Sequence, residues 1–444
     1  MTSLDSGDTA WLLVSAALVL LMAPGLALFY GGMVRSKGVL NMMMMTFGSL
    51  AVITVVWVLV GYSLAFGDDL GGGLVGDPRQ YAGLSSLMSE DSNTGTVPHI
   101  LFAVFQGLFC VITGALVSGA IADRARFGAW MVFVTVWTLL VYAPVAHWVF
   151  DFSAGDHTGG WIANRLGAID FAGGMAVEIC SGASALALAL VLGPRLGFGK
   201  DPMRPHNLTL VMLGAGLLWV GWFGFNAGSA LAANQSAAIV FTTTLVAGAA
   251  GALGWLALER VRDGHATSLG AASGLVAGLV AITPSCGSVT PIGAIVMGLV
   301  AGVVCALAVG LKYRWRYDDS LDVVGVHLVG GLVGTFGIGL LASAAAPTGV
   351  DGLLYGGGAD QLGKQLVGGG AVLVYAFVVS GIIGLVVDKV MGFRIHEEHE
   401  ISGIDLIIHA ETAYDLHATA GSRSGSSFLD NLTRHDDNEQ RDRP

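Results

Sequence analysis

The chain has 444 residues, of which 54% are hydrophobic and 12% charged, with 66 glycines and a mean hydropathy of +0.71. A soluble protein carries about 25% charged residues, so the composition points instead to close-packed membrane helices, where small residues let backbones approach. The net charge of -11 is not accompanied by any basic stripe, which argues against a nucleic-acid partner.

A bilayer-spanning helix needs about 20 apolar residues. Eleven runs meet that description, at 9–31, 40–66, 98–122, 127–150, 170–193, 207–226, 237–258, 266–282, 290–311, 322–343 and 366–390. The fifth and eighth are rich in Gly and Ser. No Lys or Arg precedes the first run, so Trp11–Tyr30 reads as a retained span, not a signal peptide. Basic residues follow the odd-numbered runs: Arg35 and Lys37, Arg124 and Arg126, Arg195, Lys200 and Arg204, Arg260 and Arg262, and Lys312, Arg314 and Arg316. The positive-inside rule then predicts an external N-terminus and a cytoplasmic C-terminus in the plasma membrane. Residues 1–390 form the membrane domain. Residues 391–416 mix charge with apolar groups and are expected to dock on the cytoplasmic face, and the polar segment 417–444 is expected to be disordered. Cys110, Cys180, Cys286 and Cys305 show no paired spacing and are expected as buried free thiols.

Two Gly-rich runs carry ionisable groups, the fifth with Asp170 and Glu178 and the tenth with Asp322 and His327. In lipid such groups face a protein interior or a water path. The two helices are five runs apart, an odd step, so they occupy matching places in two oppositely oriented halves. That predicts an all-α membrane fold with a 5+5 inverted repeat, one extra helix and a site near the midplane. Glu178 is then the natural partner of His327. The pair either locks two helices by a hydrogen bond or carries a proton or cation. A metal is not expected, since no third or fourth ligand accompanies the pair, and no cofactor is expected. Asp170 and Asp322 open their helices, where an Asp caps free N–H groups; a cation-binding role for Asp170 is the alternative. Phe105, Gln106, Phe109, Phe150, Phe225 and Ser229 gather at external helix ends. They read either as interfacial anchors or as a cage for a small cation. No nucleophile with an adjacent base is visible, so an enzyme is not expected.

The stretches GGMVRSKGVLNMMM (31–44), DFAGGMAVE (170–178), GFGKDPMRPHN (197–207), WFGFNAGSA (222–230), TPSCG (283–287), DVVGVHLVGGLVGT (322–335) and the tail around 391–414 together resemble the ammonium transporter family. That family comprises bacterial ammonium transporters, fungal methylamine permeases and the more distant Rhesus proteins. The resemblance implies eleven helices around one pore per subunit, a homotrimer in the bilayer, ammonium or methylammonium as substrate, and a PII-type signal protein as partner of the cytoplasmic tail. It implies a two-Phe gate of Phe109 and Phe225 and a vestibule with Ser229 as its hydroxyl, flanked by Gln106 and Phe105. It also implies pore-side polar positions at Thr283 and Ser273, and a structural or recruitment role for Asp170. His327 matches the second histidine of the family's histidine pair; Glu178 stands in place of the first, as in certain fungal permeases. Phe150 stands where the family has a vestibule tryptophan, with Trp148 and Trp161 near enough in sequence to compensate. An ammonium sensor and a Rhesus-type neutral gas channel are the alternatives.

Overall fold

The computed structural model describes residues 3–414. It is a helical bundle in which ten helices are long and apolar enough to cross a membrane. They are α1 (Ser6–Met33), α2 (Val39–Phe66), α3 (His99–Ile121), α4 (Phe127–Phe150), α5 (Gly174–Leu192), α6 (Leu208–Gly228), α7 (Gln235–Arg262), α9 (Pro291–Trp315), α10 (Val324–Leu341) and α11 (Asp360–Met391). The eighth expected run forms a shorter apolar helix of 15 residues, α8 (Ser268–Ile282). It begins where the Thr267 hydroxyl accepts from the Gly270 amide. It ends just ahead of Pro284, which has no N–H to continue the hydrogen-bond ladder.

Starts of the other helices follow ordinary capping chemistry. Asn207 caps α6 at the Leu210 amide, Asn234 caps α7 at the Ala237 amide, and Thr290 followed by Pro291 opens α9. Most of the helices are apolar all round, so small residues decide which ones approach. α1 lies along α6, and α8 and α9 lie along α7. A Cβ at Gly302 of α9 would collide with the Gly251 carbonyl of α7, and one at Gly214 of α6 with the Phe29 amide of α1. These contacts therefore exist only with glycine. Four helices contain a π-helical turn: Trp57–Gly61 in α2, Thr138–Tyr142 in α4, Gly174–Ile179 opening α5 and Val324–Leu328 opening α10. All four cysteines are buried and free.

Two short strands, β1 (Asn93–Thr94) and β2 (Val97–Pro98), form a hairpin at one end of the bundle. The other end carries the tail. Residues 391–414 pack there through α12 (Glu397–Ser402) and α13 (Ile404–His409). Asp405 accepts from the Leu40 and Asn41 amides at the start of α2, at 2.9 and 2.8 Å. Lys37 Nζ donates to the Glu400 carbonyl, and Glu400 pairs with Arg394 at 3.0 Å. Beneath it lies a network of ion pairs: Arg35 with Asp123 at 3.0 Å, and Arg195 with Asp318 at 2.8 Å. Burial depresses the Arg124 guanidinium, which sits in the same network near Asp318, to about 10. The segment expected to be disordered, 417–444, lies outside the described residues.

Candidate functional site

At the hairpin end a cavity of about 840 Å³ opens into the bundle, with Gln106, Phe109, Phe150, Asp170 and Ser229 in its wall. Phe109 of α3 and Phe225 of α6 close its floor. Their rings stack with centroids 4.1 Å apart at 26°, and both are almost fully buried. The Ser229 hydroxyl, one turn beyond Phe225, donates to the Phe225 carbonyl at 2.8 Å. Its lone pairs remain available toward the cavity. Phe105 does not reach the cavity. It is fully buried behind Phe109, edge-on at 4.9 Å.

Beyond the Phe pair is a second, much smaller space of about 10 Å³, room for about one water, lined by Phe225, Trp222, Val177, Glu178 and His327 among others. Here α5 and α10 meet. His327 Nδ1 and Glu178 Oε2 are 2.7 Å apart, with both residues buried. Gly331 of α10 allows this approach, because a Cβ there would press on the Glu178 side chain. Glu178 Oε1 makes no hydrogen bond among the described residues. A neutral imidazole donating from Nδ1 to the carboxylate gives the pair one net negative charge. One added proton, or one monovalent cation, neutralises it. The arrangement thus accepts either at the same formal charge.

The start of α5 explains how Glu178 is held. Asp170 Oδ1 accepts from the Gly173 and Gly174 amides at 2.8 and 2.6 Å, and Oδ2 from Met175 and Ala176 at 2.7 and 3.2 Å. Gly173 sits at φ 133°, which only glycine adopts without strain. The matching cap of α10 is not Asp322, as the sequence reading has it. Asp319 accepts from the Val323 and Val324 amides, at 3.0 and 2.7 Å. Asp322 instead lies in the left-handed region at φ 64° and pairs with Lys312 at 2.6 Å. Spacing in the sequence carries this signal: Glu178 lies eight positions after Asp170, and His327 eight positions after Asp319.

Three other expectations change. Trp148 and Trp161 do not stand in for a vestibule tryptophan. They pack against each other, with Trp148 also on Tyr375 and its Nε1 on the Leu74 carbonyl at 2.8 Å, and neither lines the cavity. Thr283 is one step removed from the lower space: its hydroxyl accepts from Trp222 Nε1 at 2.8 Å and donates to the Leu279 carbonyl. Ser273 is buried on α8 without lining either space, whereas Val276 of the same helix does. Trp222, which the sequence reading leaves without a role, forms part of the lower wall.

A profile described as the Ammonium Transporter Family matches residues 10–414. The chain belongs to the ammonium transporter family. It is 57% identical over 441 residues to an ammonium transporter of Mycobacterium tuberculosis, covering 94% of this chain and 92% of that one. The fold is similar to that of Saccharomyces cerevisiae Mep2, with a TM-score of 0.81 and 36% identity over 89% of this chain and 88% of the other. It is also similar to a Sensor Amt Protein, with a TM-score of 0.83 and 28% identity over 90% of this chain and 98% of that one.

Proposed function

We propose that this chain moves ammonium across the plasma membrane through one pore per subunit, with the hairpin end outside and the tail in the cytoplasm. Eleven spans enclose the pore, with α8 as the short one, and α1–α5 and α6–α10 form the inverted repeat. Subunits assemble as a homotrimer. Ammonium first meets the aromatic faces of Phe109 and Phe150 and the Ser229 hydroxyl, with Gln106 on the same wall. Cation–π attraction offsets part of its lost hydration. The Phe109/Phe225 gate then admits a small, nearly dry species. A bare cation in the apolar space beyond is very costly, which favours release of the proton at the gate. Glu178 and His327 take up that proton or balance the charge. Potassium is rejected because it has no proton to release and donates no hydrogen bond.

One observation carries this reading: a stacked Phe pair separates a large aromatic cavity from a single buried carboxylate–imidazole pair. The test is ammonium-evoked current in vesicles containing the purified chain, compared with Glu178→Gln and Glu178→His. Saturable current in the parent, absent in Gln, supports the reading. Ammonia equilibration without current makes the chain a neutral channel, and binding without flux makes it a sensor. Equal transport of potassium sinks the mechanism. Residues 391–416 serve as the docking surface for a PII-type protein, which a pull-down with that segment deleted examines directly.

A further inference from the structure

Beside Phe150 the cavity wall holds a row of ionisable groups that the transport scheme above does not use. His157 Nδ1 lies 2.5 Å from Asp68 Oδ1, and its Nε2 lies 2.8 Å from Asp151 Oδ1. With a carboxylate at each ring nitrogen, both bonds form only if the trio holds at least two protons. His147, in the last turn of α4, donates from Nδ1 to the Ala65 carbonyl at 3.1 Å. That nitrogen is therefore engaged, and Asp151 Oδ2, 3.2 Å away, has no hydrogen bond among the described residues. His147 Nε2, 3.4 Å from Asp69 Oδ1, has none either. Asp151 is 5% exposed and His147 0%. Buried polar atoms with spare capacity are rare in folded proteins and call for a reason. Asp151 and His157 also line the same cavity as Phe109, Phe150 and Ser229.

We propose that Asp151, clamped between His147 and His157, is a proton-binding site whose occupancy sets the cation affinity of the outer vestibule. The proposal rests on the reading of that cavity as ammonium's first site.

Burial pushes the Asp151 carboxyl up to about 7, against the pull of His157. Burial also disfavours the His157 imidazolium, but its bonds to Asp151 and Asp68 outweigh that and raise it. Below neutrality Asp151 is protonated, so the Asp68–Asp151–His157 trio is neutral overall. As pH rises through about 7, Asp151 loses its proton and the wall gains negative charge. A more negative wall concentrates monovalent cations. Asp69 is held below its ordinary value by backbone amides and His147, against its burial. His99 is bonded to the Tyr62 hydroxyl at 2.6 Å, and Tyr81 stays protonated. Arg165 stands beside Gly72 of the Asp69 loop. Asp170, in the same wall, is held by four backbone amides.

The full chain in vesicles gives the half-saturating ammonium concentration at external pH 6 and 8. In the parent it should fall about threefold or more on going to pH 8, as the wall gains charge. Asp151→Asn, which mimics the protonated acid, should keep the pH 6 value at both. His157→Gln removes the cation that favours ionised Asp151 and should move the transition to higher pH. Asp68→Asn, at an exposed position, removes a bond that favours charged His157; it should move the transition in the same direction as His157→Gln, by less, and serves if the buried variants fold poorly. A parent-like pH profile in Asp151→Asn overturns the proposal. A second readout needs no transport: the thermal stabilisation of detergent-solubilised chain by ammonium chloride over choline chloride. It should be larger at pH 8 than at pH 6 in the parent and equal at both in Asp151→Asn. Stabilisation of this pattern without any current would sink transport and leave the proton site standing; stabilisation independent of pH in the parent overturns the site.

Discussion

Glu178 and His327 are both buried, and their 2.7 Å contact leaves one carboxylate oxygen without a partner. A charge-assisted hydrogen bond contributes roughly 1.5–3 kcal/mol, which corresponds to about ten- to a hundredfold in rate or affinity. Glu178→Gln keeps the shape and an acceptor oxygen but loses the negative charge. Ammonium-evoked current should fall by at least about tenfold, while the chain still folds and purifies with a normal melting curve. Phe109→Ala removes one face of the stack. It costs about 3–5 kcal/mol as a core truncation, and it joins the 840 Å³ cavity to the space beyond. Reversal potentials in mixed potassium and ammonium should then show lost discrimination; unchanged selectivity would remove the stack from the list of filters. The Glu178–His327 contact was legible in the sequence, since a titratable group in an apolar helix announces itself. That Phe105 lies behind Phe109, and Thr283 behind Trp222, was not. Side-chain direction depends on which neighbours a helix face meets, and one chain alone does not state it.

The opening turns of α5 and α10 matter more than their apolar content. Each begins with an Asp whose carboxylate collects backbone amides, followed by a π-helical turn that aims the pore residue inward. Asp319→Ala strands two buried amides, each costing about 1–3 kcal/mol. Asp322→Ala loses only its pairing with Lys312, whose Nζ keeps the Asp319 carbonyl at 3.0 Å. Thermal melting of the two variants should therefore rank Asp319→Ala as the more damaging, and the opposite order would return the cap to Asp322. Sequence inspection favours Asp322 because it stands at the edge of the apolar run. The left-handed backbone at Asp322 that turns the chain before α10 carries no such mark. Helix existence was legible from hydropathy throughout. The end of α8 at Ile282 coincides with the end of the eighth apolar run.

Across the whole molecule, the tail is a structural clamp on the membrane domain. Asp405 holds the start of α2, Lys37 reaches the Glu400 and Ile401 carbonyls, and the Arg126 amide donates to the Phe393 carbonyl. Asp405→Ala should release this contact at a cost of about 1–2 kcal/mol, the size of a lost helix cap. Hydrogen exchange should speed up in both 391–414 and the first turn of α2; faster exchange in the tail alone would mean that the clamp does not act on α2. Charge mixing in the sequence suggested docking, and the ranges of most helices followed from apolar length. Which basic residue meets which acid did not, because Arg35, Arg124 and Arg195 converge from three separate loops onto Asp123 and Asp318.

The equal eight-residue step from Asp170 to Glu178 and from Asp319 to His327 suggests an exchange of the two buried groups as a test of the proposed pore. Each Asp caps its helix the same number of residues before the buried group. A chain carrying both Glu178→His and His327→Glu should therefore rebuild the buried contact in mirror order and keep its ammonium current, although each single change leaves two like groups facing one another. Activity in the exchanged chain would show that the membrane field and the flanking residues, not the order of the two groups along the sequence, decide the direction of flow.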